Sequence, residues 1–266
     1  MKSTSYMSNK MQNSISFLTF NITFSIMHQD DLQTFAKYYD QIYLKRNDYK
    51  KESETIVKII KQFQKRIPKT LLDVGCGTGE HLKYLSKSFR CKGIDINKEM
   101  IKTAKAKVAD AEFEVADMID FRLDEKFDVI TCLFSSIGYV RNFRNLVKTF
   151  RNFHDHLSDN GLTLVEPWVF RKDFRRGSVS VDTHEDEEVK LVRMGTSTLA
   201  RSQWLVYFHY LIGTEGEIKH LRETHKMLLA DYEDYVKAFT LAGYDKIKFL
   251  GENGWTRARG LFVALK

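Results

Sequence analysis

Gly75, Gly77 and Gly79 alternate directly behind the apolar run Leu71-Leu72-Asp73-Val74, with Cys76 and Thr78 between them. Glycine weakens a strand end or a helix start unless the backbone there needs a positive φ or must come close to something. The spacing decides what is held. A dinucleotide loop of the form G-x-G-x-x-G would need glycine where Glu80 stands, and a phosphate loop would need Gly-Lys-Ser/Thr; neither is present. Glycines at 75, 77 and 79 suit a nucleoside cofactor with no phosphate to cradle.

Two acids follow at useful distances. Cys91-Lys92-Gly93-Ile94-Asp95-Ile96 reads as the next strand, and Asp95 falls about 20 residues past the first glycine, the usual distance to ribose hydroxyls. A third short strand, Phe113-Glu114-Val115, leads through Ala116 to Asp117 and Met118. There an acid can accept from an adenine amino group.

The elements that must position these residues come in an informative order. Helices are expected near 30–44 and 50–66, and strands near 70–74 and 91–95 with a helix from Glu80 to Ser88 between them. Asn97 caps a helix to about Lys107. Strands near 112–115 and 127–132, a helix over 142–157 and a fifth strand from Gly161 to Glu166 complete the run. Alternation of this kind implies an α/β fold with a doubly wound, mostly parallel, Rossmann-like sheet. From Gly177 to Leu229 the pattern changes to β-type runs, Val189 to Arg193, Gln203 to Ile212 and Glu217 to Leu228, with Gly213-Thr214-Glu215-Gly216 as a turn. These read as an antiparallel sheet inserted after the fifth strand, a substrate lid or a dimer surface. A helix from Tyr232 to Ala242 ends at Gly243, and strands near 246–250 and 260–265 close the main sheet. The core is therefore expected over 29–176 and 230–266, the insertion over 177–229, and a disordered extension over 1–28. Met27 is a candidate first residue of the natural protein.

Composition sets bounds. The 266 residues are 43% hydrophobic and 13% aromatic, enough for a large core, and two prolines leave no Pro-rich linker. Cys76, Cys91 and Cys132 lie in or beside expected buried strands without C-x-x-C spacing, as reduced thiols of a cytoplasmic protein would. The formal charge of +7 admits an acidic partner. Much of that charge falls between Lys45 and Lys69, where Ile56, Ile59, Ile60, Phe63 and Ile67 keep helical spacing. The lysines there read as a solvated helix face rather than a nucleic-acid surface. No membrane span is expected: Ser14 to Met27 is too short and too polar. The histidines show no metal-ligand pattern, and the acidic run Asp182 to Glu188 reads as a solvated loop.

Four segments carry a resemblance: Leu72 to Gly79, Phe127 to Gly138 (with Phe134-Ser135-Ser136-Ile137-Gly138), Val165-Glu166-Pro167-Trp168 and Arg259-Gly260-Leu261-Phe262-Val263. In that order they resemble the class I S-adenosylmethionine (SAM)-dependent methyltransferases. Within these they are most similar to the N,N-dimethyltransferases of nucleotide-linked 3-amino-deoxysugars, from about residue 35 onward. The resemblance implies SAM as cofactor, bound by Gly75, Cys76, Gly77, Gly79, Asp95, Ile96, Asp117, Met118 and Leu133. It implies that Tyr43 reaches the sulfonium and the amine. It also implies that Trp168, Arg193 and Arg259 lie near a nucleotide sugar, where an arginine fork suits pyrophosphate. The family usually carries histidine directly after Ser-Ser-Ile-Gly, and this chain has Tyr139 there.

Methyl transfer to an amine asks mainly for position and an unprotonated nucleophile. Tyr43 and Tyr139 are the candidates to orient it. The same types also pack helix faces and loops, and Trp168 also suits a core at a strand end, so spacing alone leaves both roles open. Other small-molecule acceptors, nucleic acid and SAM binding without turnover are the competing functions. Against base-amine methylation, the fourth strand is followed by Leu133-Phe134-Ser135-Ser136 and not by Asn/Asp-Pro-Pro-Tyr. A homodimer through the inserted sheet is the expected assembly.

Overall fold

The computed structural model describes residues 36, 38–64, 66–200, 203–251, 254–256 and 259–266; the extension expected over residues 1–28 lies outside them. Residues 38–43 are helical (α1). The longer α2 (Tyr49–Phe63) starts at Asp48, whose side chain accepts from Lys51 N–H, and turns Ile56, Ile59 and Ile60 inward. Seven strands form the main sheet: β1 (Thr70–Val74), β2 (Arg90–Asp95), β3 (Ala111–Val115), β4 (Phe127–Cys132), β5 (Leu157–Val165), β10 (Lys246–Leu250) and β11 (Leu261–Leu265). Their order is β3-β2-β1-β4-β5-β11-β10. β1 pairs in parallel with both β2 and β4, and β11 runs antiparallel to β5 and β10. The chain builds outward from β1 to β3 and then returns to β4 on the other side. The crevice at the carboxyl ends of β1 and β4 is thus the switch point, where open α/β sheets bind ligands.

Each face of the sheet buries its own core. Leu72, Val74, Ile130 and Val165 pack against α5 (Phe143–His156) and α6 (Tyr232–Ala242). Leu71, Val129, Leu162 and Leu164 pack against α2, α3 (Leu82–Leu85) and α4 (Lys98–Lys107). Strand residues alternate between these faces because the side-chain period is two. Asn97 caps α4 by accepting from Glu99 and Met100 N–H, and Gly243 closes α6 with φ of 101°.

A second sheet, β6-β7-β8-β9, is antiparallel throughout: β6 (Val179–Glu185), β7 (Lys190–Ala200), β8 (Gln203–Thr214) and β9 (Glu217–Leu228). It meets the core through β9. At Gly138 the turn after β4 comes close to Met227 of β9 and to Trp168: a Cβ there would stand 2.6 Å from Met227 Cε and 3.2 Å from Trp168 Cβ.

Three expectations change. The helix over Glu80 to Ser88 shrinks to Leu82–Leu85, because Lys87 and Ser88 turn back to Tyr84 and Leu85 carbonyls, three residues away, and lead Phe89 into the core. β5 begins at Leu157, with a register irregularity before Leu162. The acidic run is not wholly a solvated loop: Asp182 to Glu185 belong to β6, and Asp182 meets Arg193. β6 escaped the sequence pattern because most of its side chains face outward at an edge.

Candidate active site

The glycine loop takes the conformation its composition allows. Gly75, Gly77 and Gly79 have φ of 72°, 54° and 80°, in the left-handed region that other residues avoid. A Cβ on Gly75 would stand 2.7 Å from Ser136 Cβ, whereas one on Gly77 would meet nothing within 4 Å. Gly75 thus admits the chain after β4, and Gly77 leaves space over the loop. Asp95, at the end of β2, braces this arrangement. Its Oδ2 accepts from Gly77 N–H at 2.9 Å and its Oδ1 from Asn97 N–H at 2.8 Å. A carboxylate has about four lone-pair sites, so Asp95 keeps acceptor capacity beside these bonds. Burial raises the Asp95 carboxyl above its ordinary range, against the backbone N–H groups of Asn97, Gly77 and Ile96 that lower it.

A cavity opens here. Its lining includes Gly75, Cys76, Gly77, Leu133 and Ser136 together with Tyr39, Tyr49, Asp73, His81 and Phe134. Asp73 is buried and accepts from Thr131 Oγ1 at 2.7 Å; desolvation pushes its carboxyl up to about 6. His81 is buried and sits 3.0 Å from Glu52 Oε2. Thr78 donates to Asp40 at 2.6 Å, and Lys107 bridges Asp40 and Glu80, tying α1 to the glycine loop. Farther along the sheet edge, Asp117 accepts from Ile119 N–H at 2.9 Å, and Ile96 is exposed. Met118 reaches back to within 3.6 Å of the Cβ position at Gly75.

On the opposite side the chain leaves β4 in an unusual turn. Phe134 and Ser135 have φ of 52° and 62° without being glycine, and a 3-10 turn (Ser136–Val140) follows. Such residues persist only where the surroundings over-determine them. Here Phe134 N–H donates to the buried Glu166 Oε2 at 2.9 Å, Ser135 Oγ donates to Pro167 O at 2.8 Å, and Arg259 donates to Ser135 Oγ at 2.8 Å. The Arg259 guanidinium also lies 4.8 Å over the Trp168 ring. Arg259 and Trp168 therefore converge on the turn.

Arg193 is placed differently. It is buried on β7, its Nε donates to Asp182 at 2.9 Å, and its Nη1 donates to Tyr43 OH at 2.6 Å. Tyr43 is further packed edge-on to Phe134 at 5.0 Å. Tyr139, in the 3-10 turn, has its hydroxyl 2.8 Å from His225 Nδ1. Tyr139 is 45% exposed at the surface, while desolvation by the protein packed around its hydroxyl, then Tyr43, Glu223 and Asp95, raise its phenol above the ordinary range. Tyr39 is raised by burial and by Tyr43, Tyr49, Tyr139 and Asp95. The phenols of α1 and of the 3-10 turn thus share one neighbourhood with Asp95. Sequence reasoning passed over Tyr39, Asp73, Glu166 and His225; Tyr39 stands four residues before Tyr43, one helical turn away, which is the signal that was available.

The methyltransferase domain family matches residues 71–161. Over 235 residues the chain is 33% identical to the dTDP-3-amino-3,4,6-trideoxy-alpha-D-glucopyranose N,N-dimethyltransferase of Streptomyces venezuelae, covering 86% of this chain and 97% of that one. This chain belongs to the class I SAM-dependent methyltransferases. Its cofactor is SAM, and the loop, the braced Asp95 and the space over Gly77 fit it. The crystal structure of Streptomyces venezuelae DesVI superposes on the methyltransferase with a TM-score of 0.80 at 32% identity, covering 86% of this chain and 97% of that one. SAM-bound CalS10, an amino pentose methyltransferase from Micromonospora echinaspora, gives 0.76 at 25% identity, covering 91% and 98%. Among the described residues of the methyltransferase, no helix is long and apolar enough to cross a membrane.

Proposed function

We propose that the methyltransferase moves methyl groups from SAM to the amine of a nucleotide-linked amino sugar. The observation that carries this reading is a pair of phenols: Tyr43, packed on Phe134 of the cavity wall and bonded to Arg193, and Tyr139, bonded to His225 and carried by the 3-10 turn whose Ser136 meets the glycine loop. Bound SAM supplies an electrophilic methyl group on a sulfonium. The protein supplies position. The amine nitrogen gives its electron pair to the methyl carbon as the carbon–sulfur bond breaks, which needs an in-line approach and little else. Tyr43, with one phenol lone pair taken by Arg193, has the other to accept an amine N–H, which orients the nitrogen and leaves its electron pair for the methyl group. Arg193 is thus a positioning residue for Tyr43, and the phosphate-facing cation is Arg259, set over Trp168 beside the turn. Gly75, Cys76, Gly77, Gly79, Asp95, Ile96, Asp117, Met118 and Leu133 form the SAM side.

The second sheet serves as the wall of the acceptor site and as the surface of a homodimer. On its outer face Val181 pairs with Met194, and Val192 pairs with Leu211, all four of them exposed. Buried, unpaired Cys76, Cys91 and Cys132 suit a reducing cytoplasm.

The test is incubation with SAM and a panel of nucleotide-linked amino sugars, read by product mass. A gain of one or two methyl masses on an amino sugar supports the reading. SAM binding without a mass gain on any of them overturns it.

A further inference from the structure

The Tyr139 hydroxyl is one end of a chain of hydrogen bonds that runs into the second sheet. It lies 2.8 Å from His225 Nδ1; His225 Nε2 lies 3.1 Å from Glu223 Oε2; and Tyr210 OH donates to that same oxygen at 2.8 Å. Glu223 and His225 are two residues apart on β9, so the strand period places both on one face. The side chains of His225 and Glu223 are 19% and 5% exposed. The direction of the chain follows from donor and acceptor capacity. An ionised carboxylate only accepts, so a neutral His225 donates through Nε2 to Glu223 and leaves Nδ1 to accept from Tyr139. The Tyr139 oxygen, donating in this bond, keeps its own lone pairs to accept, on a turn whose first residue, Ser136, meets Gly75 O.

We propose that Tyr139, His225 and Glu223 form a proton relay that deprotonates the acceptor amine. An amine arriving as ammonium gives one proton to the Tyr139 oxygen while the Tyr139 proton passes to His225 Nδ1. One N–H bond breaks, one Nδ1–H bond forms, and the nitrogen keeps the electron pair it needs for attack. The positive charge moves onto the imidazole, beside the Glu223 carboxylate, and the proton leaves to water through the exposed part of His225. Tyr139 is the catalytic residue that meets the amine; His225 and Glu223 are positioning residues acting through it. The charged and titratable groups around His225 are Tyr139 on the 3-10 turn, Glu223 on β9 itself and Tyr210 on β8. Beyond them stand Arg193 on β7, 4.6 Å over the Phe208 ring that contacts His225, with Asp182 on β6 and Tyr43 on α1. Arg193 is paired with Asp182 and bonded to Tyr43, so Glu223 is the carboxylate in contact with His225.

This inference rests on an amine acceptor, and its test separates the two. His225→Gln and Tyr139→Phe are compared with wild type for SAM binding, thermal stability and kcat against pH on an accepted amino sugar. Both variants are expected to bind SAM as wild type does. Each is expected to lose kcat about 10²-fold at neutral pH, the lower end of the effect of a positioned general base. Above pH 9, where the amine arrives unprotonated, the loss should shrink to within a few fold. A loss equal at all pH values, or none, overturns the relay while leaving amine methylation standing. A second readout needs no turnover. In nitrogen-15 histidine spectra, neutral His225 is expected with its proton on Nε2, and Tyr139→Phe should shift the Nδ1 resonance. A proton on Nδ1 overturns the relay even if no sugar in the panel is methylated.

Discussion

Asp73→Asn tests whether the buried carboxylate under the glycine loop is kept for a ligand at the expense of stability. Asp73 is 2% exposed, at the fourth position of β1 with β2 and β4 on either side, and among the described residues its side-chain hydrogen bond comes from Thr131. Desolvation raises its carboxyl from 3.8 to about 6, against the lowering by His81 and Thr131. A carboxyl whose folded value exceeds its unfolded value binds more protons in the folded state between those values. Stability therefore falls as pH rises from about 4 to 6 and is flat above. At 1.36 kcal/mol per pH unit, the ionised group costs the SAM-free fold about 3 kcal/mol at neutral pH. Asparagine keeps an oxygen for Thr131 and carries no charge. Asp73→Asn should therefore raise the SAM-free melting temperature at pH 8 by roughly 5–10 °C for a chain of this size, and by far less at pH 4.5. Binding should move the opposite way. SAM carries an ammonium and a sulfonium, so its affinity for wild type should rise from pH 5 to 7, and Asp73→Asn should bind it at least tenfold more weakly. Scanning calorimetry across pH and titration calorimetry with SAM read both effects. An equal melting point for the two proteins at pH 8, or a difference that does not change with pH, refutes the reasoning.

Other sites give sharper single outcomes. Gly75→Ala must hold φ near 72° and press its methyl on Ser136. It should cost about 2 kcal/mol of stability and abolish measurable SAM binding by calorimetry. Arg193→Met leaves Asp182 with Arg46 as its partner and removes the hydrogen bond to Tyr43. It is expected to lose about 2 kcal/mol and most of kcat, with SAM affinity unchanged by titration. Met194→Lys puts a charge in the middle of the exposed apolar face of the second sheet; light scattering should read a monomer where wild type reads a dimer.

Most of the main sheet was legible because its strands are short apolar runs closed by turn residues, and the caps at Asn97 and Gly243 follow from side-chain chemistry alone. The glycine loop was legible for a similar reason, since its φ values exclude other residues. What the sequence hid depends on contacts between distant segments. The pairing of Arg193 with Tyr43 joins residues 150 apart, and that of Tyr139 with His225 joins residues 86 apart. No local period records either. β6 was hidden because an edge strand with an outward face carries little hydrophobic alternation. Asp182 was read as part of a solvated acidic run because its partner lies on the neighbouring strand, Asp182 standing opposite Arg193.

The turn after β4 explains how one sheet end serves two ligands. Two non-glycine residues in the left-handed region cost of order 1–3 kcal/mol each, and here the cost is met by contacts from the segment after β5 and from the loop before β11: Glu166 on Phe134, and Pro167 and Arg259 on Ser135. The reversal they enforce carries Ser136 against Gly75 and, three residues on, Tyr139 against His225. The SAM side and the acceptor side are thus set by the same short strained segment. Methyl transfer is a reaction in which a good leaving group is already present, so the geometry of approach is what the protein has to provide. A turn braced on buried groups provides it more rigidly than a loop resting on solvent, because the two sides cannot shift independently. Phe134 and Ser135 are placed where their strain does that, between the glycine loop and the Tyr139–His225 pair.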